Sequence, residues 1–240
     1  MDAACVRRWL DDVATGVRAE RDHLTQLDAA IGDADHGVNM HRGFTVAMAR
    51  VAALDRATPG QLLTTVGRSL ISTVGGAAGP LYGTAFLSAG EALGSGDTFG
   101  PERLLAALEA ALAGVQRIGA ASEGDKTMVD ALAPAVAAFD VELAAGGSLE
   151  SAVRRASAAA TGGMRATIPL QARKGRASYL GPRSVGHQDP GATSTAVVLG
   201  ALERVVLGAG AGARGPSRSP PAAQRDTPSW FPGDPDHHVP

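Results

Sequence analysis

Alanine, leucine and valine recur at three- and four-residue spacing through most of the chain, and segments of alternating β-branched residues are scarce, so the period is helical almost throughout. The pattern predicts an all-α fold with helices over 2–19, 21–30, 38–53, 59–74, 80–94, 101–119, 126–145, 149–171 and 190–207. Pro59, Pro80, Pro101 and Pro190 each stand where a first helical residue belongs, behind Thr58, Gly79, Gly100 and Asp189 as caps, while Gly94, Gly96 and Gly146-Gly147 close helices. Pro134 falls inside the 126–145 segment, where its missing N–H predicts a kink or a restart. Short connections between helices of similar length favour antiparallel neighbours, in an up-and-down bundle or a closed ring. The stretch from Arg173 to Gln188 is too long and too glycine-rich for a simple turn, and loops of that size inside a compact domain usually carry function.

From Gly208 onward the pattern changes. The segment 208–240 carries half of the chain's 14 prolines and few bulky apolar residues apart from Trp230, Phe231 and Val239. It reads as a disordered tail behind a helical domain spanning 1–207. His237 and His238, in that proline-flanked setting, read as solvated side chains rather than a metal site. At 240 residues, 45% hydrophobic and 19% charged, the chain is long enough to bury a substantial core. A formal net charge of −2 supplies no basic field for nucleic acid. The single cysteine, Cys5, the N-terminus MDAACVRRWLDD and the lack of an uninterrupted apolar run of about 18 residues point to a cytoplasmic protein with no membrane span.

Asp28, Asp33 and Asp35 fall within eight residues, the last two inside IGDADHG at 31–37. Three carboxylates this close repel one another, and a hard divalent cation is the natural partner; magnesium typically takes one or two carboxylates plus substrate phosphates. Gly32 and Gly37 would let the backbone turn tightly enough to align Asp33 with Asp35. The plainer reading is a helix cap and a turn residue. A calcium loop is excluded by the missing closing glutamate after Asp35.

Three further segments carry chemistry. VGGAAGPLYG at 74–83 is a glycine-rich loop running into a helix, suited either to cradling a phosphate on backbone N–H groups or to close helix packing. In GDKTMVD at 124–130, Asp125 is an N-cap and Lys126 lies in the opening turn, where a cation opposes the helix dipole and so hints at an anion nearby. Met128 suits either the core or the face of an adenine ring. The loop 171–194 carries Arg173, Lys174, Arg176 and Arg183, a basic patch able to balance the acidic cluster and grip phosphate. His36 and His187 either bond phosphate or pin loops.

IGDADHGVNM, VGGAAGPLYGT, GDKTMVDAL and KGRASYLGPRSVGHQDPGATS, in this order and over residues 1 to about 205, closely resemble the family of nucleotide-binding L subunits of dihydroxyacetone kinase. The resemblance implies an eight-helix antiparallel up-and-down barrel around an apolar, lipid-like interior, with ADP or ATP bound at one rim. It implies that Asp28, Asp33 and Asp35 hold two magnesium ions and act in catalysis. Nucleotide contacts fall on His36, Gly37, Val38, Asn39, Ala77, Ala78, Gly119, Met128, Arg176, Gln188, Asp189 and Pro190. Ala78 departs from relatives that place a serine hydroxyl on the phosphate there, and Ala34 stands where relatives often have glycine, which removes no ligand. The phosphoryl group would pass to dihydroxyacetone on a separate K subunit, with a phosphotransferase-system M subunit recharging bound ADP; exchangeable ATP is the variant donor. A homodimer is compatible with the resemblance. A related fatty-acid-type kinase domain and a non-catalytic nucleotide-dependent regulator are the competing expectations.

Overall fold

The computed structural model describes residues 1–213. Among the described residues nine α-helices follow one another: α1 (Ala3–Ala19), α2 (Arg21–Ile31), α3 (His36–Ala52), α4 (Pro59–Thr73), α5 (Ala78–Leu93), α6 (Pro101–Gly119), α7 (Val129–Ala144), α8 (Leu149–Ala166) and α9 (Pro190–Ala213). A 3₁₀ segment, Arg176–Ser184, bent at Gly181 (φ 55°), lies between the last two. Apart from an isolated antiparallel bridge joining Asp2 to Thr98, the described residues hold no β-structure. The chain is all-α, as its periodicity requires.

The helices form because each repeats an apolar stripe at helical spacing. In α1, Val6, Leu10, Val13 and Val17 are fully buried and Trp9 nearly so, with the Trp9 indole N–H donating to the Val198 carbonyl of α9 at 3.0 Å. Each large apolar side chain so enclosed contributes about 1.5–3 kcal/mol. Neighbour follows neighbour: α1 packs on α3, α3 on α4, and so on through α8 to α9, which returns to α1; α2 lies between α3 and α9. The α4–α5 contact is the most extensive. A Cβ built on Gly67 would lie 2.6 Å from the Gly83 carbonyl oxygen, and one on Gly90 2.6 Å from that of Gly60, so the two backbones touch where larger residues would part them. That contact fixes both ends of the loop 74–77.

Helix ends follow the punctuation where local chemistry alone decides them. Thr58 and Gln61 form a reciprocal capping box on α4, Gly100 precedes α6, and the Asp189 carboxylate caps α9 by accepting the Ala192 N–H at 2.7 Å. Other ends differ from expectation. α5 begins at Ala78, so Gly79 is a helical residue packed against the Val74 carbonyl and Pro80 sits within the first turn. α7 begins at Val129 rather than 126, because the Asp130 carboxylate draws the N–H groups of Gly124 and Thr127 into a separate turn. Asp125 therefore does not cap α7, and Lys126 lies outside it. Pro134 does not interrupt α7. The carbonyl its ring deprives of a partner, that of Asp130, is instead covered by the backbone of α8 at Gly163, where a Cβ would sit 2.0 Å from that oxygen.

α8 stops at Ala166, short of 171, and α9 continues to Ala213, beyond 207. The rest of the expected disordered tail, residues 214–240 with His237 and His238, lies outside the described residues. Among the described helices, α9 alone has a stretch long and apolar enough to cross a membrane, Pro190–Gly208 with mean hydropathy 1.2. Half of that stretch is buried, with Leu199, Ala201, Leu202 and Val206 in the core, as suits a central helix.

Candidate functional site

Four connections meet at one end of the molecule: 32–35, 74–77, 120–128 and 167–189. Between them lies a cavity of about 250 Å³, whose lining includes the carboxylates Asp28, Asp33 and Asp35 and the apolar residues Leu81, Val115, Ala121 and Met128. The lining is part acidic and part apolar.

Asp28 organises the acidic part. It projects from the last turn of α2, is nearly buried, and its Oδ2 accepts the N–H groups of Asp35 (2.8 Å) and His36 (3.1 Å). Asp28 thus caps α3 from a neighbouring helix. Asp35, the residue at the N-cap position, makes no capping bond with its own side chain. One carboxylate oxygen from each of Asp28, Asp33 and Asp35 lies within 4.8 Å of the others. The charge is offset at one point, where Arg176 Nη2 reaches Asp33 Oδ2 at 3.1 Å. Three hard oxygen donors this close fit a divalent metal.

The glycines serve the cluster differently from expectation. Gly32 has no left-handed backbone (φ −139°); it is needed for space, since a Cβ there would lie 2.0 Å from Asp28 Oδ1. Gly37 allows α3 to approach α2, its Cβ position falling 2.0 Å from the Arg21 carbonyl oxygen. The left-handed residue of the loop is Ala34, at φ 62°, a backbone conformation that favours glycine.

At the same cavity, α5 starts at Ala78 with Ala77 at its N-cap and no side-chain cap. Gly76, at φ 64° with open space around it, turns the chain into the helix. The first-turn N–H groups of a helix lack intrahelical acceptors, and here they stand at the edge of the cavity beside the carboxylates. Of the two glycine-rich readings, close packing is seen at Gly79, whose Cβ position meets the Val74 carbonyl, while Gly76 provides the turn.

Of the residues expected to contact nucleotide, His36, Ala77, Ala78, Gly119, Met128, Arg176, Asp189 and Pro190 line the cavity. Gly37, Val38, Asn39 and Gln188 do not. Val38 is half exposed on the first turn of α3, Asn39 is buried and accepts from Arg42 at 2.8 Å, and Gln188 donates to Thr193 Oγ1 at 2.9 Å. Of the basic loop, Lys174 and Arg176 reach the cavity wall, whereas Arg173 and Arg183 do not.

His36 Nε2 bonds Ser194 Oγ at 2.9 Å, and burial holds its pKa below the ordinary histidine value against the pull of Asp28 and Asp35. His187 pins its loop through its carbonyl, which accepts from Lys126, while the residue is exposed. Two wall residues carried no signal of their own in the sequence. Tyr82 bonds the Gly191 carbonyl, Ser194 and Thr195 through its hydroxyl, and burial pushes its pKa up. Thr127 lines the wall beside Met128. The hydroxyl run Thr193-Ser194-Thr195 after Pro190 is the hint that buried polar partners lay nearby.

The model of the DAK2 domain matches residues 30–204. The ADP-binding subunit DhaL of the PEP-dependent dihydroxyacetone kinase of Escherichia coli K12 is 42% identical over 191 residues, covering 80% of this chain and 91% of that protein. The corresponding subunit of dihydroxyacetone kinase 1 of Listeria innocua is 40% identical over 195 residues, covering 81% of this chain and 92% of its own length. Among solved structures, the dihydroxyacetone kinase of C. freundii in complex with AMP-PNP and Mg2+ superposes with a TM-score of 0.67 at 26% identity, covering 85% of this chain. The matched region is 34% of that longer chain.

Proposed function

The chain belongs to the DAK2-domain family, and from that membership we propose that it is the ADP- and magnesium-binding subunit of a dihydroxyacetone kinase acting in the cytoplasm. The observation that carries this reading is the meeting, at one cavity, of three carboxylates within 4.8 Å of one another and an uncapped helix N-terminus. One half suits a divalent cation and the other a phosphate, and a metal–nucleotide complex needs both.

In this reading Asp28, Asp33 and Asp35 would hold two magnesium ions, whose chemistry there would be to neutralise charge on the nucleotide's phosphates. The N–H groups of Ala78 and Gly79 receive phosphate oxygens, a role left to the backbone because Ala78 offers no hydroxyl. Arg176, already beside Asp33, adds a planar cation suited to phosphate. Leu81, Val115, Ala121 and Met128 form an apolar wall that takes the base. His36, kept neutral by burial, orients the start of α3 through Ser194. Each role is positional or electrostatic, so no residue of this chain needs to form a covalent bond. Dihydroxyacetone is held on a separate K subunit, and an M subunit of phosphotransferase type recharges ADP without its leaving the cavity.

Incubation with K and M subunits, phosphoenolpyruvate and dihydroxyacetone yields dihydroxyacetone phosphate on this account, and Asp33→Ala abolishes the product. Normal turnover by that variant contradicts the ligand assignment. The absence of a hydroxyl at Ala78 gives a second reading specific support, a nucleotide sensor that binds ADP without turnover; the same mixture separates the two.

A further inference from the structure

Lys126 is a cation of the cavity wall that the proposed chemistry does not use, and unlike the other wall cations, Lys174 and Arg176, it is buried. It is almost fully buried, at 1% exposure, and its backbone is left-handed at φ 64°, two conditions that each disfavour a lysine. The partners of its ammonium explain why it is tolerated. Nζ donates to the Thr167 carbonyl oxygen at 2.7 Å and to the His187 carbonyl oxygen, which lie at the two ends of the connection 167–189. A third tie runs beside them, from the Arg173 N–H to the Asp125 carbonyl oxygen at 3.0 Å, and the Gly186 N–H closes the neck of the loop on the Ile168 carbonyl at 2.8 Å.

The turn that presents Lys126 is itself held from below. The Asp130 carboxylate accepts the N–H groups of Gly124 at 2.6 Å and Thr127 at 2.7 Å, one on either side of Lys126. Burial lowers the lysine's pKa, and Asp189 and Asp130, the carboxylates facing it, oppose that shift. What the connection carries forward is Arg176, 3.1 Å from Asp33.

We infer that Lys126 is a positioning residue: it latches the α8–α9 connection over the acidic cluster, sets Arg176 against Asp33, and thereby governs how long a bound nucleotide stays. The retention half of this rests on the proposed nucleotide site; the latch itself does not.

Lys126→Met keeps an unbranched side chain and the same left-handed backbone but removes every donor. In the ligand-free protein, hydrogen exchange of the amides of 173–188 accelerates by about tenfold, the change expected when a charge-assisted hydrogen bond is lost, while α4 and α5 keep their protection. With magnesium present, release of a fluorescent ADP analogue quickens by about the same factor. Arg176→Ala also speeds release, yet adds less than about twofold on top of Lys126→Met, because the arm it truncates is already displaced. Should Lys126→Met not fold, Asp130→Asn loosens the same turn and moves both measurements in the same direction. Unchanged exchange across 173–188 overturns the latch, and so do effects of Lys126→Met and Arg176→Ala that multiply in full, since Lys126 would then act independently of the arm. A wild-type protein that binds no ADP refutes the site reading, while the ligand-free exchange rates still decide the latch.

Discussion

Gly32→Ala is the substitution whose cost follows most directly from the geometry. A Cβ at Gly32 would lie 2.0 Å from Asp28 Oδ1, 2.9 Å from its Cγ and 3.0 Å from its carbonyl oxygen, so the Asp28 side chain has to leave its place. In leaving, it gives up the N–H groups of Asp35 and His36, the bonds that start α3. A hydrogen bond to a charged acceptor contributes about 1.5–3 kcal/mol, and partial replacement by water at the half-exposed Asp35 brings the expected loss to about 2–4 kcal/mol. For a domain of this size that is a fall of about 4–16 °C in Tm. The carboxylate that moves is also a proposed metal ligand, so the rise in Tm that magnesium and ADP give the wild-type chain disappears with it. Thermal unfolding with EDTA, and then with magnesium and ADP, reads both effects. A variant within about 2 °C of wild type that still responds to magnesium and ADP refutes the capping role and the ligand role together.

The neighbouring residue responds in the opposite sense: Ala34 sits at φ 62°, so Ala34→Gly stabilises the fold by about 1 kcal/mol, seen as a higher denaturant midpoint at unchanged slope, and a lower midpoint contradicts this. Ala78→Ser restores a hydroxyl at the first residue of α5 and tightens ADP binding about tenfold by calorimetry; unchanged or weaker affinity shows that the α5 N-terminus does not meet phosphate. Burial raises the Asp189 carboxyl to about 7, so between the ordinary aspartate range near 4 and that value the folded chain keeps a proton the unfolded chain has lost. The associated stability is present below pH ~4 and drains away as pH rises through 7, at up to about 1.4 kcal/mol per pH unit. Asp189→Asn lacks this slope, and denaturant curves from pH 4.5 to 7.5 that run parallel for the two proteins contradict the raised value.

What was legible in the sequence is what local chemistry decides alone. Thr58 before Pro59, Gly100 before Pro101 and Asp189 before Pro190 mark helix starts from neighbouring residues only, and the buried stripe of α1 is set by its own spacing. The acidic cluster was legible for a related reason: Asp33 and Asp35 are separated by Ala34 alone, and Asp28 lies just before the loop that carries them. Contacts between distant segments were not. Lys126 reads as an opening helical residue until the Asp130 carboxylate is seen taking the amides on either side of it, and its two carbonyl partners lie 41 and 61 residues away. The continuity of α7 through Pro134 depends on Gly163 of another helix. Gly37, Val38, Asn39 and Gln188 share motifs with wall residues yet do not line the cavity: the first three follow His36 on α3, whose turn directs successive residues to different faces, and the Gln188 side chain is drawn to Thr193.

The most direct measurement of the central claim is anomalous scattering from crystals grown with ADP and Mn2+ in place of Mg2+. The account predicts two strong peaks, each coordinated by carboxylate oxygens of Asp28, Asp33 or Asp35 and by phosphate oxygens, with the diphosphate against the N-terminus of α5. Nucleotide bound in the cavity with no metal peak at those three side chains contradicts it.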